Sequence, residues 1–328
     1  MFKKYLKLFD ESQYDTKIYD NFNNHEWNLF LKTYKNIFRT IDRSVFQWYY
    51  NLGNFFTILS TNNNVFFGIY GLLNIKISLN EKTLNSYLCH NVGINKEYSG
   101  KGFFQFIGEK ALDSALNNDE IALGFPNKAS KKGHIRLGWK EIGNMQFIAY
   151  QSNDKSELPL SSKYIFDEVP SFPENMKELV ENTSPMFSLR LEKDGKFLNW
   201  RSSKPLSNYK IYLIKESQKL VGYLVLKKYI ENYETRLHLV DFLYENREVL
   251  DNLIIFSINK YKNNNYDILN TWIVADSNSE DVFLEHKFSF QNDTPVYPII
   301  LFQKENVYDF EKIDKRKMFF TLFDNDVF

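Results

Sequence analysis

Residues 92–104 read Val92-Gly93-Ile94-Asn95-Lys96-Glu97-Tyr98-Ser99-Gly100-Lys101-Gly102-Phe103-Phe104 and are the most informative segment of the chain. Residues 85–94 read as a strand, and about 102–117 read as a long helix. The two glycines allow positive φ angles and a close approach of a ligand to the backbone. The first N–H groups of a helix carry partial positive charge, so this turn is a candidate site for an anion such as a pyrophosphate.

Two common phosphate-binding loops are excluded at this turn. No Lys-Ser/Thr pair follows Gly102, so the turn is not a Walker A loop. Gln105 holds the third glycine position of the Gly-x-Gly-x-x-Gly dinucleotide pattern, so that pattern is also absent. Because many strand–helix junctions use glycine only to turn, a ligand assignment needs a second motif.

A second motif begins where a short apolar strand, predicted over 121–125, ends. Asn127 is followed by Ser130 three residues later and by His134 seven residues later, and Gly138-Trp139 comes four residues after that. Asn is a preferred helix N-cap, and imidazole can donate or accept a proton near neutral pH. Taken alone, these residues also fit a simple helix cap and a structural or surface histidine.

Together the two motifs resemble those of the GNAT superfamily of acyl-CoA-dependent N-acyltransferases. The pyrophosphate loop of that superfamily has the pattern Arg/Gln-x-x-Gly-x-Gly/Ala, and its second motif has Asn, a small residue, Tyr and Gly-Phe at the spacing found here. Three positions depart from the pattern: Ser99 replaces the usual Arg or Gln, Phe104 the usual Gly or Ala, and His134 the usual Tyr.

The resemblance implies acetyl-CoA as the cosubstrate and assigns a role to each motif. The residues expected to bind acetyl-CoA are Val92, Gly93, Ile94, Ser99, Gly100, Lys101, Gly102, Phe103, Phe104, Asn127 and Ser130. The backbone of the first three would pair with the pantetheine arm and supply the N–H groups that stabilise the oxyanion. His134 would protonate the departing CoA thiolate or act as a base for the amine. His90 is a candidate for the wall of the acceptor pocket.

The second half of the chain repeats landmarks of the first half in the same order. Trp48, Phe67-Gly68 and His134 to Trp139 correspond to Trp200, Val221-Gly222 and Phe283 to Phe288. The segment after Asp241 lacks the paired glycines, so the second copy is expected not to bind CoA. We therefore predict an α/β fold of two tandem GNAT-like domains, each a mixed, mostly antiparallel, twisted sheet flanked by helices. The predicted limits are 1–155 for the domain with the acyl-CoA site, 156–185 for the connecting region and 186–328 for the degenerate domain.

The composition of the chain argues against nucleic-acid, membrane and metal partners. The 328 residues contain 41 Lys plus Arg and 41 Asp plus Glu, which argues against a broad nucleic-acid surface. The single cysteine, Cys89, suits a reducing compartment. We see neither a signal peptide nor a transmembrane segment, so we expect a cytoplasmic protein with no membrane partner. The five histidines show no metal-ligand spacing, so no metal is expected.

These observations predict an N-acetyltransferase that moves an acetyl or other acyl group to a primary amine of a small molecule. A resemblance to tandem GNAT proteins encoded with surface-polysaccharide genes suggests an amino sugar or nucleotide-amino sugar as acceptor. Two rival interpretations stay open: a non-catalytic protein that keeps CoA as a ligand, and an aminoacyl-tRNA-dependent enzyme of the peptidoglycan-bridge type. The sequence leaves the oligomeric state undetermined.

Overall fold

The structure is a computed structural model that describes residues 7–38, 42–50, 52, 54–61, 65–174, 176–231, 233–291 and 294–325. The elements of the N-terminal half are β1 (Tyr14–Tyr19), α1 (Asn24–Ile37), α2 (Arg43–Tyr50), β2 (Asn54–Thr61), β3 (Phe66–Leu79), β4 (Lys82–Ile94), α3 (Phe103–Ala115), β5 (Ile121–Gly124), α4 (Lys128–Arg136) and β6 (Lys140–Tyr150). None of the helices in the described residues is long and apolar enough to cross a membrane.

The C-terminal half repeats much of this order. Its elements are β7 (Tyr164–Val169), α5 (Lys177–Thr183), β8 (Leu189–Leu191), α6 (Gly195–Ser202), β9 (Tyr209–Glu216), β10 (Lys219–Glu231), β11 (Glu234–Tyr244), α7 (Arg247–Asn263), β12 (Ile268–Val274), α8 (Asn278–Glu285), β13 (Ser289–Phe290), β14 (Tyr297–Gln303) and β15 (Met318–Phe319). The element order from α2 to α4 therefore has a counterpart in the order from α6 to α8. β1 and α1 precede the first of these series.

The chain forms two compact units, and neither is continuous in sequence. The first unit comprises Met1–Lys76, Leu84–Ile142 and Tyr297–Glu311, and the second comprises Ile77–Thr83, Gly143–Val296 and Lys312–Phe328. β14 is thus part of the first unit, where it pairs antiparallel with β5. Most of β6 belongs to the second unit, where it pairs antiparallel with β12. The domain limits that we drew from the sequence remain a prediction.

In the first unit the strands run in the order β1-β2-β3-β4-β5-β14. β1 with β2, β2 with β3, and β14 with β5 pair antiparallel, whereas β4 and β5 pair parallel. α3 lies against this sheet through a buried apolar face that includes Phe103, Ile107, Ala111 and Leu112. Gly108 permits close packing of α3, because a Cβ there would lie 3.0 Å from Tyr70 Cε2 of β3 and 2.4 Å from Leu137 Cδ1 at the end of α4.

In the second unit the strands run in the order β6-β12-β11-β10-β9-β7. β11 and β12 are parallel, and their neighbours pair antiparallel. α7 packs on this sheet with buried residues such as Leu250, Leu253 and Ile254. The predicted α/β class, with mixed and mostly antiparallel sheets flanked by helices, is confirmed.

Candidate functional site

β4 extends beyond the end of its parallel neighbour β5, which ends at Gly124. The two strands pair in parallel from Ser86 to Cys89 of β4, and within the described residues no β4–β5 pairing continues beyond Cys89. Asn91 has a φ of 49°, a left-handed conformation that interrupts the regular alternation of the strand. The backbone of Val92 to Ile94 therefore has hydrogen-bonding groups available to a ligand on the β5 side.

The irregularity at Asn91 also changes which side chains face α3. Tyr87 and Cys89 pack against the core under α3, and after Asn91 it is Val92 and Ile94 that do so. Alternation without a break would have given odd-numbered residues throughout. The irregularity at Asn91 thus keeps apolar side chains from both parts of β4 on the core.

The turn after β4 ends at an uncapped helix N-terminus. Gly100 and Gly102 have φ angles of 79° and 94°, values that L-residues rarely adopt. Gly102 is the N-cap of α3, and no side chain accepts a hydrogen bond from the first N–H groups of this helix. These N–H groups carry the positive end of the helix dipole, so the turn offers the donors that an anion requires.

The turn is held in place by aromatic stacking and by the N-terminal segment. The ring of Tyr98 stacks on Phe67, with centroids 3.9 Å apart. The backbone N–H of Leu8 donates to the carbonyl of Lys101 at 3.1 Å, and Phe9 stacks on Phe103 at 3.9 Å. The position of the glycine turn is therefore fixed by packing on both sides.

α4 lies beside this turn and has a capped N-terminus. Asn127 Oδ1 accepts hydrogen bonds from the backbone N–H groups of Ala129 and Ser130, each at 3.0 Å. The role of Asn127 as a helix cap is thus present in the structure. The ring of Phe104 fills the space over Gly133, where an added Cβ would lie 2.5 Å from a ring carbon.

These elements surround one cavity of about 920 Å³. Its wall contains ten of the eleven residues that the sequence assigned to the cofactor: Val92, Gly93, Ile94, Ser99, Gly100, Gly102, Phe103, Phe104, Asn127 and Ser130. Lys101 is not on this wall, and its ammonium lies 5.7 Å from the ring centroid of Tyr98. Sequence reasoning missed further wall residues, namely Leu8, Ile37, Phe38, Tyr98, Ala129, Lys132, Gly133 and Arg136 and the side chain of Gln105.

His134 lies in the core and does not line the cavity. Its side chain is surrounded by the rings of Tyr70, Phe104 and Trp139, and its Nδ1 is 3.4 Å from the hydroxyl of Tyr70. Burial lowers the pKa of His134 from 6.5 to about 3, so the ring is neutral at pH 7. A neutral imidazole is a weak acid, and His134 is not among the described residues of the cavity wall, so its catalytic role remains a prediction.

His90 is also buried and outside the cavity wall. Its ring stacks on Tyr49 of α2 with centroids 4.7 Å apart, and its Nδ1 lies 2.6 Å from the side-chain amide nitrogen of Asn91. The Tyr34 hydroxyl donates to the amide oxygen of Asn91 at 2.6 Å. The network holds His90 against α1 and α2, and its role toward an acceptor remains a prediction. In the described residues, no group of three or more His, Cys, Asp or Glu side chains is placed to hold a metal ion.

In the second unit the strand before the long helix also extends beyond its parallel pairing, but the glycine turn is absent. β11 pairs with β12 only from Arg236 to Leu239. Residues 245–246 then connect β11 to α7, whereas residues 95–102 connect β4 to α3. Asn246 caps α7 by accepting from the backbone N–H of Val249 at 3.1 Å, so this helix N-terminus is already partly satisfied.

The C-terminal segment lies beside β11 and β12 of the second unit. β15 contacts β12, and the short helical turn Leu322–Asp324 contacts β11. The ring of Phe319 packs edge-on against Phe242 of β11 at 5.3 Å. In the second unit, the C-terminal segment therefore occupies the place beside β11 that corresponds to the place beside Val92 to Ile94 in the first unit.

A buried ionic cluster fixes this segment. Lys193 Nζ lies 2.6 Å from Asp241 Oδ1 and 2.9 Å from Asp324 Oδ1, and it donates to the Thr321 hydroxyl at 3.0 Å. Tyr223 donates to the second oxygen of Asp241 at 2.9 Å. Burial raises the pKa of Asp324. In the sequence repeat, Asp241 stands where the first half enters its glycine turn. In the structure, its carboxylate pairs with the ammonium of Lys193.

No family model and no curated protein sequence matches the chain. Among solved structures, the fold is similar to a GCN5-related N-acetyltransferase from Anabaena variabilis, with a TM-score of 0.67, 12% identity, and coverage of 88% of this chain and 72% of the other. It is also similar to a probable N-acyltransferase from Enterococcus faecalis, with a TM-score of 0.65, 9% identity, and coverage of 88% and 73%. Saccharomyces cerevisiae N-myristoyltransferase with bound myristoyl-CoA aligns with a TM-score of 0.58, 12% identity, and coverage of 97% and 92%. The chain therefore has the fold of the GCN5-related acyltransferases.

Proposed function

We propose that the protein transfers an acyl group, in the first instance acetyl, from acyl-CoA to a primary amine of a small molecule. The observation that carries this proposal is the convergence of three features on one cavity. They are the uncapped N-terminus of α3 after Gly102, the unpaired backbone at the end of β4, and a wall whose charged side chains are cations. A long ligand with an anionic centre and an amide-containing arm fits this combination.

The reaction follows from the geometry of β4. The pantetheine arm would pair with the backbone of Val92 to Ile94 as an additional strand does, which would fix the thioester near the end of the β4–β5 pairing. The amine nitrogen attacks the thioester carbonyl, and a backbone N–H of β4 stabilises the oxyanion. The carbon–sulfur bond then breaks, the nitrogen gives up one proton as the amide forms, and the CoA thiolate takes up one proton. We keep His134 as a hypothesis for this last proton, to be tested below.

We further propose that the two units are tandem copies of one fold and that the second is degenerate. The repeated element order supports this, as does one shared backbone contact. Asn95 N–H donates to Phe67 O at 2.7 Å in the first unit, and Glu245 N–H donates to Val221 O at 3.0 Å in the second. The shortened turn and the C-terminal segment leave the second unit without an acyl-CoA site.

The proposed acceptor follows from the sequence. Amino sugars and nucleotide-amino sugars remain the first candidates from the sequence, and the balanced charge of the chain disfavours an aminoacyl-tRNA donor. The neighbour crystallised with myristoyl-CoA makes longer acyl groups worth including. A protein that binds CoA without turnover is the alternative of a different class.

The test uses the full chain, because each compact unit contains a segment from the other half. We would titrate acetyl-CoA calorimetrically into the wild-type protein and into Gly102→Glu, with Ser114→Glu as a control that places the same charge at an exposed site farther along α3. A carboxylate at the turn should weaken binding by about 100-fold or more through repulsion of the phosphates. The control should bind as the wild type does.

CoA release over a panel of amines and nucleotide-sugars, with acetyl-CoA and longer acyl-CoAs, then tests turnover. Failure of the wild-type protein to bind any acyl-CoA would refute the proposal. Binding without acceptor-dependent CoA release would support the non-catalytic alternative. An unchanged affinity in a folded Gly102→Glu protein would show that the turn does not hold the pyrophosphate.

A further inference from the structure

The charged side chains on the described wall of the cavity are both cations. Lys132 and Arg136 line it, and no aspartate or glutamate of the described residues does. Neither cation forms an ion pair with a described residue of the protein. In contrast, the neighbouring Lys131 pairs with Glu141 at 2.7 Å. The cavity thus carries two positive charges that no carboxylate of the described residues neutralises.

The two cations share one face of α4. Ala129, Lys132, Gly133 and Arg136 all line the cavity, and their spacing of three and four residues defines a single stripe along the helix. Lys131 lies off this stripe. The side chains of Lys132 and Arg136 are one turn apart, so both can reach the same anionic group.

This stripe lies next to the glycine turn but is distinct from it. Phe104, in the first turn of α3, packs directly over Gly133, and the side-chain amide of Gln105 donates to the Gly133 carbonyl at 3.5 Å. The N-terminus of α4 is capped by Asn127, so its N–H groups at Ala129 and Ser130 are already used. An anion on α4 would therefore be bound by the two cations and not by the helix terminus.

We propose that Lys132 and Arg136 form a second anion subsite, which binds the 3′-phosphate of CoA while the glycine turn binds the pyrophosphate. This inference rests on the proposed function and specifies its ligand. A phosphate monoester carries nearly two negative charges at pH 7, which matches two cations. Arg recognises phosphate through paired donors, and Lys acts as a point charge. The protein then discriminates CoA from its 3′-dephosphorylated form.

The expected preference for CoA over dephospho-CoA depends on the exposure of Lys132 and Arg136. Both side chains are exposed, and an exposed ion pair strengthens binding by about fivefold at most. Two such pairs give a preference for CoA over dephospho-CoA of about 25-fold at low salt. The preference should decrease as ionic strength rises, because salt screens exposed charges.

The experiment is a calorimetric titration of CoA and of dephospho-CoA into three full-length proteins. These are the wild type, the double variant Lys132→Gln with Arg136→Gln, and the control Lys131→Gln, which removes one charge from the same helix off the cavity stripe. Circular dichroism and thermal melting establish that each protein is folded. We expect the double variant to lose the preference for CoA and to keep the wild-type affinity for dephospho-CoA, and the control to keep both.

Three results would overturn the inference while leaving the proposed function intact. They are equal binding of the two ligands by the wild type, a retained preference in the double variant, and an equal loss of affinity for both ligands in that variant. If the wild type binds neither ligand, the proposed function itself fails, and this outcome is distinguishable from the other three.

Discussion

The burial of His134 predicts a measurable pH dependence of stability. Its side chain is 3% exposed, and its pKa falls from 6.5 to about 3 because the charged ring would lose its hydration in an aromatic enclosure. In the unfolded chain the same side chain titrates near its ordinary value. Replacing it by phenylalanine removes this titration, and phenylalanine is also the residue that the repeat places at the equivalent position, Phe283.

The sign and size follow from linkage. Between pH 6.5 and about 3 the unfolded chain takes up a proton that the folded protein refuses, so acid lowers the free energy of unfolding. Above pH 6.5 neither state is protonated at this site, and the contribution vanishes. Each pH unit in the window costs about 1.4 kcal/mol. His134 alone should therefore destabilise the wild type by about 2 kcal/mol on going from pH 8 to pH 5.

Urea denaturation of wild type and His134→Phe at pH 8 and pH 5 measures this contribution. The variant should lose about 2 kcal/mol less than the wild type between the two pH values, whatever constant offset the substitution adds. His25→Gln, which removes an exposed histidine from the start of α1, is the control and should leave the wild-type difference in place. Identical pH dependence in wild type and His134→Phe would refute the argument from burial.

The same variant separates the two roles of His134. General acid–base groups contribute about 10²–10⁴-fold to turnover. The core position favours a smaller loss, below about tenfold, in a folded His134→Phe protein. A loss within the larger range, with acetyl-CoA affinity unchanged, would instead support the proton-donor hypothesis and require the core around His134 to open during turnover.

Three further substitutions test the packing of the site and of its counterpart. Lys193→Met should lower the free energy of unfolding by about 3–5 kcal/mol, because it leaves buried carboxylates without their cation. The control Lys219→Gln, at the exposed ion pair with Glu245, should lower it by less than about 1 kcal/mol. Equal losses in urea denaturation would contradict the burial argument. Gly133→Leu should weaken acetyl-CoA binding and lower the melting temperature, since its side chain must displace the Phe104 ring, and wild-type values for both would show that the ring moves freely. Gly100→Ala should cost about 1–2 kcal/mol of stability from its left-handed backbone alone, because an added Cβ meets no atom within 4 Å; a thermal melt at the wild-type temperature would show that the turn relaxes.

The elements around the glycine turn were predictable because their signals are local. The helix predicted over about 102–117 is observed as Phe103–Ala115, and the strand predicted over 121–125 is observed as Ile121–Gly124. Glycine positions and apolar periodicity mark such elements directly in the sequence. A role for the backbone of Val92 to Ile94 in binding the pantetheine arm was expected only through the family resemblance.

Other features could not be read from the sequence because they depend on contacts between distant segments. No local pattern shows that β14 pairs with β5, or that Leu8 hydrogen-bonds to the turn at Lys101. Lys132 and Arg136 do carry a weak signal, since with Ala129 they follow helical spacing from the capping Asn127. Recognising it requires knowing which face of the helix the cavity occupies, and that information lies in the packing of α3 on α4.

The two units offer an internal comparison that explains why one site is open and the other filled. In both units the parallel pairing of the strand before the long helix stops before that strand ends, so this feature by itself does not create a ligand site. What differs is the connection that follows. In the first unit, residues 95–102 connect the strand to the helix and include two glycines with positive φ, and the helix N-terminus is uncapped. In the second unit, only residues 245–246 form the connection, and Asn246 caps the helix. Without room for a pyrophosphate, the second unit can bury the end of β11 against the C-terminal segment and satisfy Asp241 with Lys193. Under the proposed function, the end of β4 is thus kept for a ligand, whereas the end of β11 contributes to internal stability.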